Sequence, residues 1–231
     1  MDVRVEHDPA QVCAEMLAAA ASRGEHIALT GGSTPGVAYR RAAEMDADWS
    51  GATLWWGDER CVPPDDELSN YRLAKESLLD RLPDGAGPDV HRMRGERGPT
   101  AGAEDYEREL RDTLGEQIPR LDLVLLGLGP DAHVASLFPG HATLRVSDRA
   151  VVGEEEAGHE PFVPRITLTL PALCDGRHIV FLVAGEAKAE AVERAFGPHE
   201  PSEDAPGSLV RPRDGEMTVL LDEAAASRLG P

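Results

Sequence analysis

Apolar positions in this chain follow two rhythms that alternate along its length. Short runs in which nearly every position is apolar read as strands buried on both faces: "HIALT" (26–30), "ATLWWG" (52–57), "LDLVLLGLG" (121–129), "HIVFLVAG" (178–185) and "MTVLL" (217–221). Weaker strand patterns are "DVRVEH" (2–7), "DVHRM" (89–93), "AVVGEE" (150–155) and "RITLTL" (165–170). Between them the spacing becomes helical. Residues 9–23 put Val12, Met16, Leu17 and Ala20 on one face, and residues 69–82 start at Ser69 as N-cap and then space Leu73, Leu78, Leu79 and Leu82. Residues 103–116, with Gly115 near the end, and 186–196 are also amphipathic, and "HVASLF" (133–138) is apolar enough to begin a buried helix. This order predicts an α/β fold with a mainly parallel sheet and helices on both faces, in a single domain over residues 1–231. The Pro- and acid-rich stretches 196–207 and 153–164 are expected to be the most mobile loops.

Charge and composition narrow the partners. With 42 acids against 23 bases the formal charge is −19, which argues against nucleic acid and anionic membrane as partners. No apolar run is long enough to span a bilayer, and the N-terminal "MDVRVEHDPAQV" lacks the basic-then-apolar order of a signal peptide, so a cytoplasmic protein is expected. Cys13, Cys61 and Cys174 are far apart and form no CxxC, which predicts reduced thiols and no structural zinc; of the three, Cys61 lies nearest a candidate site. His7, His26, His91, His141, His159, His178 and His199 show no metal-ligand spacing, so no metal centre is predicted.

In open α/β sheets ligands bind beyond the carboxyl ends of the strands, so the residues that follow each strong strand matter most. After "HIALT" comes "GGSTPG": Gly31 and Gly32 permit a tight turn, Ser33 or Thr34 can cap, and Pro35 suits a first helical turn, which together make an anion site or simply a well-capped turn. After "ATLWWG" comes Asp58-Glu59-Arg60, which offers a cation and a carboxylate or else a surface ion pair. After "LDLVLLG" comes "LGPDAHVAS", where His133 lies two residues beyond Asp131. An imidazole has a reference pKa of about 6.5, so much of it is neutral near pH 7 and able to accept a proton from water. Each cluster alone has a bland structural reading. Convergence on one rim favours a site with His133 as general base, to which Arg165 and Lys188 add cations.

The segments "LTGGSTPGVAYR", "WWGDERCVPPDDELSNYRLAKESLL", "LVLLGLGPDAHVASLFPGH", "PRITLTLPAL", "VFLVAGEAKAEAV" and "GSLVRPRDGEMTVLLDEAAA" resemble, in that order, the 6-phosphogluconolactonases. The resemblance implies hydrolysis of 6-phosphoglucono-δ-lactone, the second step of the oxidative pentose phosphate pathway, without metal or organic cofactor. It also implies the α/β fold shared with glucosamine-6-phosphate deaminases and ribose-5-phosphate isomerases. It places His133 on the catalytic histidine and Asp131 on its acidic partner. Gly32, Ser33 and Thr34 fall on the substrate turn, and Asp58, Arg60, Arg165 and Lys188 on the polar and basic lining. The chain has Asp131-Ala132-His133-Val134-Ala135-Ser136 where the family usually has Asp-Gly-His-Thr-Ala-Ser, and Ala205-Pro206-Gly207-Ser208 where Leu-Pro-Ala-Ser is common.

By this reading His133 takes a proton from the attacking water, Asp131 steadies the imidazole, and the basic residues or backbone N–H groups hold the phosphate. The expected partner is therefore a small sugar-phosphate lactone, taken by a monomer or weak homo-oligomer. Two rivals remain. A deaminase would need a carboxylate where this chain has Phe138, and a non-catalytic sugar-phosphate sensor would keep the cleft without the chemistry.

Overall fold

The computed structural model describes residues 1–115 and 118–230. Among the described residues, ten strands and six α-helices follow one another. They are β1 (Asp2–Val5), α1 (Pro9–Ser22), β2 (His26–Leu29), α2 (Ser33–Ala43), β3 (Thr53–Trp56), β4 (Asp58–Arg60), α3 (Asn70–Ser77) and β5 (Asp89–Val90). The second half contributes α4 (Pro99–Leu114), β6 (Leu123–Leu126), β7 (Val151–Glu154), β8 (Arg165–Leu168), α5 (Leu170–Cys174), β9 (His178–Val183), α6 (Ala189–Phe196) and β10 (Glu216–Leu221).

Seven of the strands form one sheet in the order β1-β10-β9-β6-β2-β3-β5, and every pairing in it is parallel. Central β6 is wholly apolar and β9 is apolar beyond its first residue, His178, as suits strands covered on both faces. Adjacent residues of a strand point to opposite faces, and β3 shows the covering directly. The Trp55 ring meets Tyr106 of α4 at 5.9 Å, whereas the next residue, Trp56, meets Tyr71 of α3 at 5.6 Å. Trp49, Trp55, Trp56, Tyr39 and Tyr106 are fully buried. Truncating any one of them to alanine would cost on the order of 3–5 kcal/mol.

Strand order fixes where a ligand can enter. From β2 the chain proceeds to β3 on one side, while from β6 it proceeds to β9 on the other. The crevice at the carboxyl ends of β2 and β6 is therefore the switch point of the sheet. Tyr39 of α2 fastens the β2 side of this crevice, its hydroxyl accepting from Thr30 N at 2.9 Å and donating to Thr30 O at 2.7 Å.

Several expectations are met and some need correction. Ser69 caps α3 by accepting from Arg72 N at 3.1 Å, and Gly115 ends α4 in the left-handed conformation with φ 74°. The expected helix 103–116 starts earlier, at Pro99, and its final residue, Glu116, lies outside the described residues. The expected helix 69–82 stops at Ser77 and continues as a 3-10 turn over Leu79–Arg81, and residues 186–188 are likewise 3-10 before α6. Neither Ser33 nor Thr34 caps α2: the N-cap is Gly32, at φ 111°, a conformation a side chain would resist. The segments "DER", "VVGE" and "RITL" leave the parallel sheet and form a small antiparallel one, β4-β8-β7.

The expected helix at 133–138 is not formed. Val134 bridges to Leu137 in a tight turn, with Ala132 at φ 67° and Ala135 at φ 48°. Neither value is compatible with a right-handed helix. The polar groups explain why the turn wins. Asp131 Oδ1 accepts from His133 N at 3.2 Å, Thr167 Oγ1 accepts from Ser136 N at 3.2 Å, and Ser136 Oγ donates to Asp58 Oδ2 at 2.7 Å. The left-handed conformation costs a residue with a Cβ about 1–2 kcal/mol, while a glycine's extra freedom in the unfolded chain costs about 0.4–1 kcal/mol. Ala132→Gly is therefore expected to raise the melting temperature by about 2 °C. Ala132→Val, which adds a β-branched side chain to a fully buried left-handed position, should lower it by more, and calorimetric melts of both variants check the sign.

Candidate active site

The loops after β2, β3, β6 and β9 surround a cleft of about 270 Å³ at the switch point. Of the residues singled out in the sequence, Gly32, Ser33, Thr34, Asp58, Arg60, His133, Arg165 and Lys188 line it. Asp131 stands behind His133.

The turn "GLGPDAH" shapes the imidazole's setting. Gly129 N donates to His133 O at 2.9 Å, folding the turn back on itself. A Cβ at Gly129 would lie 2.0 Å from His133 Nδ1, so only glycine leaves room for the ring. Asp131 Oδ1 takes the Nδ1 proton across 2.6 Å, which leaves the Nε2 lone pair free to accept another. Burial raises the Asp131 pKa, but the hydrogen bond from the His133 ring, its charge and the backbone N–H bonds outweigh that and hold it at about 2. The carboxylate is thus anionic wherever the protein would work. On its other side the His133 ring packs 4.8 Å from Phe138.

The cations are arranged for an anionic ligand. Arg60 and Arg165 are paired residues across the β4–β8 ladder, so their side chains leave the same face of it and each charge acts on the other. Burial lowers the Arg165 pKa, and the neighbouring charge of Arg60 lowers it further. The hydrogen bonds of these side chains run to neutral carbonyls: Arg60 to Leu68 O, Arg165 to Val163 O and Pro161 O, and Lys188 to Leu128 O. Burial likewise lowers the Lys188 pKa, opposed by the charge of Asp131. Carbonyl partners fix the cations in place without neutralising them, and their charge remains available to a ligand. The first turn of α2 adds backbone N–H groups and the positive end of its dipole, because its Gly32 cap has no side chain to occupy them.

Asp58 has a structural task besides lining the cleft. It is 5% exposed, and its carboxylate accepts from Ser136 Oγ and, at 3.2 Å, from Asn70 Nδ2. Glu59 turns inward, where it accepts from Asn70 N, Tyr71 N, Arg60 N and Ser69 Oγ and so anchors the start of α3. Asn70, His159 and Glu160, to which no sequence motif gives a role, also line the cleft. The glycine pair in "GGSTPG" is the one signal that pointed toward Asn70, since a Cβ at Gly31 would meet Asn70 Oδ1 at 2.0 Å. Burial, with Glu155 and Glu59 nearby, pushes the Cys61 thiol up to about 12, away from the reactive thiolate form. Among the described residues no cluster of three or more His, Cys, Asp and Glu could hold a metal ion, and no helix is long and apolar enough to cross a membrane.

Comparison with known proteins gives the family and the fold. Residues 4–219 match the family model for glucosamine-6-phosphate isomerases and 6-phosphogluconolactonase. The chain is 39% identical to the 6-phosphogluconolactonase of Streptomyces coelicolor, covering 99% of this chain and 91% of that one. It is 38% identical to the enzyme of that name from Synechocystis sp., over 92% and 88% of the two chains. Among solved structures, the 6-phosphogluconolactonase from Trypanosoma cruzi superposes with a TM-score of 0.86 at 29% identity, covering 100% of this chain and 97% of that one. A monomeric glucosamine-6-phosphate deaminase shares the fold, with a TM-score of 0.78 at 23% identity over 99% of this chain and 100% of that one. A sheet with its switch point at "GGSTPG" and "GLGPDAH", a carboxylate-held histidine in the cleft and these relatives agree: the chain belongs to the 6-phosphogluconolactonases of the glucosamine-6-phosphate isomerase/6-phosphogluconolactonase family.

Proposed function

We propose that this protein hydrolyses 6-phospho-D-glucono-1,5-lactone to 6-phospho-D-gluconate in the oxidative pentose phosphate pathway, with His133 as general base and Arg60, Arg165 and Lys188 as the phosphate-holding rim. The observation that carries this reading is the Asp131–His133 pair opening onto a cleft whose cations bond only to carbonyls. Names of relatives supply the substrate, and the geometry supplies a reason for it.

Neutral His133 accepts a proton at Nε2 from a water that attacks the lactone carbonyl carbon. Asp131, anionic throughout, keeps the Nδ1 proton in place and offsets the imidazolium that forms. The N–H groups at Gly32, Ser33 and Thr34 and the nearby cations face the negative charge of phosphate and tetrahedral oxygen, while Asp58 borders the sugar hydroxyls. Holding a remote phosphate fixes the distance from carbonyl carbon to base, so binding at one end assists chemistry at the other. Against a deaminase reading, Phe138 is 1% exposed and packed at a tilt against the His133 ring where that chemistry calls for a carboxylate.

Hydrolysis of freshly made lactone, followed by coupled nicotinamide reduction against a no-enzyme blank, is expected to be accelerated by the wild type. His133→Ala should lose about 10²–10⁴-fold in kcat with KM little changed. A folded wild type that binds 6-phosphogluconate without accelerating hydrolysis would instead mark a sugar-phosphate sensor. Arg60→Ala removes one charge-assisted contact worth about 1.5–3 kcal/mol, so KM should rise by roughly 10–100-fold while kcat is largely kept. On acidification kcat should fall reversibly, because a protonated Nε2 cannot accept the water's proton whereas Asp131 is already ionised. A rate that climbs as pH drops would rule out a histidine base.

A further inference from the structure

A second imidazole stands at the same reacting centre. His159, from the loop between β7 and β8, lines the cleft with its ring centroid 5.5 Å from that of His133. Its Nδ1 lies 2.9 Å from the carbonyl oxygen of Glu160, which can only accept, so Nδ1 carries a proton and Nε2 is the nitrogen left for a ligand. His133 is held in the same way, its Nδ1 committed to Asp131. The cleft thus presents two imidazoles, each anchored through Nδ1 and each free at Nε2.

The loop carrying His159 is tied to the phosphate rim. Arg165 donates through Nε to Val163 O at 3.0 Å and through one terminal nitrogen to Pro161 O at 2.6 Å and His159 O at 3.4 Å. Arg165 is 3% exposed, so these bonds form where water does not compete for them. The side chain that would hold phosphate is therefore also the one that fixes the backbone of His159.

Lactone hydrolysis needs proton transfer at two oxygens. Water loses a proton as it attacks the carbonyl carbon, and the ring oxygen gains one as its bond to that carbon breaks. Both oxygens sit on one tetrahedral carbon, and a base and an acid each need to come within about 3 Å of their own oxygen. Two imidazoles with centroids 5.5 Å apart, both lining the cleft, place a base and an acid within reach of one carbon bound beside them.

We propose that His159 is a catalytic residue, the general acid for the leaving ring oxygen, working opposite His133 and positioned by Arg165. In the step, His133 Nε2 takes a proton from water and the water oxygen bonds to the carbonyl carbon. The bond from that carbon to the ring oxygen then breaks, its electron pair staying on the oxygen, and His159, entering the step as an imidazolium protonated on both nitrogens, gives its Nε2 proton to make the new hydroxyl and is left neutral with Nδ1–H on Glu160 O. The product acid ionises, His133 releases its proton to solvent and His159 takes one back, so the sum is lactone plus water giving carboxylate and one proton. This rests on the hydrolase reading above. The other charged groups facing the pair across the cleft are Asp58, Arg60, Glu160, Arg165 and Lys188, with Asp131 behind His133.

The test compares wild type, His159→Gln and His159→Ala for kcat and KM across pH, each blank-subtracted, with folding checked by circular dichroism. Wild-type kcat should be bell-shaped in pH, because the step needs His133 Nε2 without a proton and His159 Nε2 with one. His159→Gln should lower kcat by about 10–100-fold, leave KM within a few-fold, and lose the alkaline limb while keeping the acid one. Glutamine retains a donor, so it serves if the alanine variant fails to fold. Unchanged kcat with the alkaline limb intact overturns the inference alone, and so does a loss confined to KM or a lower kcat with an unaltered profile. A wild type without hydrolysis overturns the hydrolase reading and this inference with it.

Discussion

Loops leaving several strands make one site only if something holds them in register, and here the holder is the Asp58 carboxylate. It takes Ser136 Oγ from the turn after β6 and Asn70 Nδ2 from the start of α3. Asn70 also donates to Asp58 O at 2.9 Å and packs on Gly31 beyond β2 so closely that no side chain fits there. A carboxylate that is 5% exposed would be costly without partners, and its partners are what bring "GGSTPG", "GDER" and "HVAS" together. The left-handed alanines follow from the same demand: the chain must turn sharply after His133 for Ser136 to reach Asp58.

With the loops fixed, the site divides its charges by the partners they are given. Asp131 is paired with an imidazole and Glu59 with backbone N–H groups, so both anions are consumed inside the protein. Arg60, Arg165 and Lys188 are given carbonyls, which satisfy geometry and leave charge over. Cations held next to one another are unfavourable in the empty protein, and the pKa of Arg165, lowered by burial and then by the charge of Arg60 against the opposing pull of Asp58 and Glu59, expresses that cost. An anion entering the cleft removes it, which couples the folding of the site to the ligand it takes.

Much of this could be read from the sequence because it is local. Strands β2, β3, β6, β9 and β10 are dominated by apolar runs, and Asp131 with His133 are two residues apart, a separation at which a turn brings carboxylate and ring together without help. What was illegible is what depends on distant partners. The strands β4, β7 and β8 are short and partly polar, and their antiparallel sheet exists because β3 runs on through Gly57, with Leu168 N donating to Gly57 O at 2.8 Å. "HVASLF" has helical composition, but Thr167 and Asp58, respectively 31 and 78 residues away from Ser136, draw its polar groups into a turn. His159 carries no periodic or motif signal, and it reaches His133 only because Arg165 gathers the loop around its own guanidinium.

The net charge of −19 looks at first incompatible with a phosphorylated substrate. Screening resolves the conflict. At physiological ionic strength the Debye length is about 8 Å, so exposed carboxylates on the far surface contribute little inside the cleft, while the partly buried cations lining it are screened much less. Many surface arginines are also spent on exposed acids, as in the pairs of Arg72 with Glu76 and Arg145 with Glu203, and so add no reach of their own. The acidic exterior and the cationic cleft thus act at different ranges. The exterior repels polyanions too large to enter, and the cleft attracts an anion small enough to come within a few ångströms of Arg60, Arg165 and Lys188.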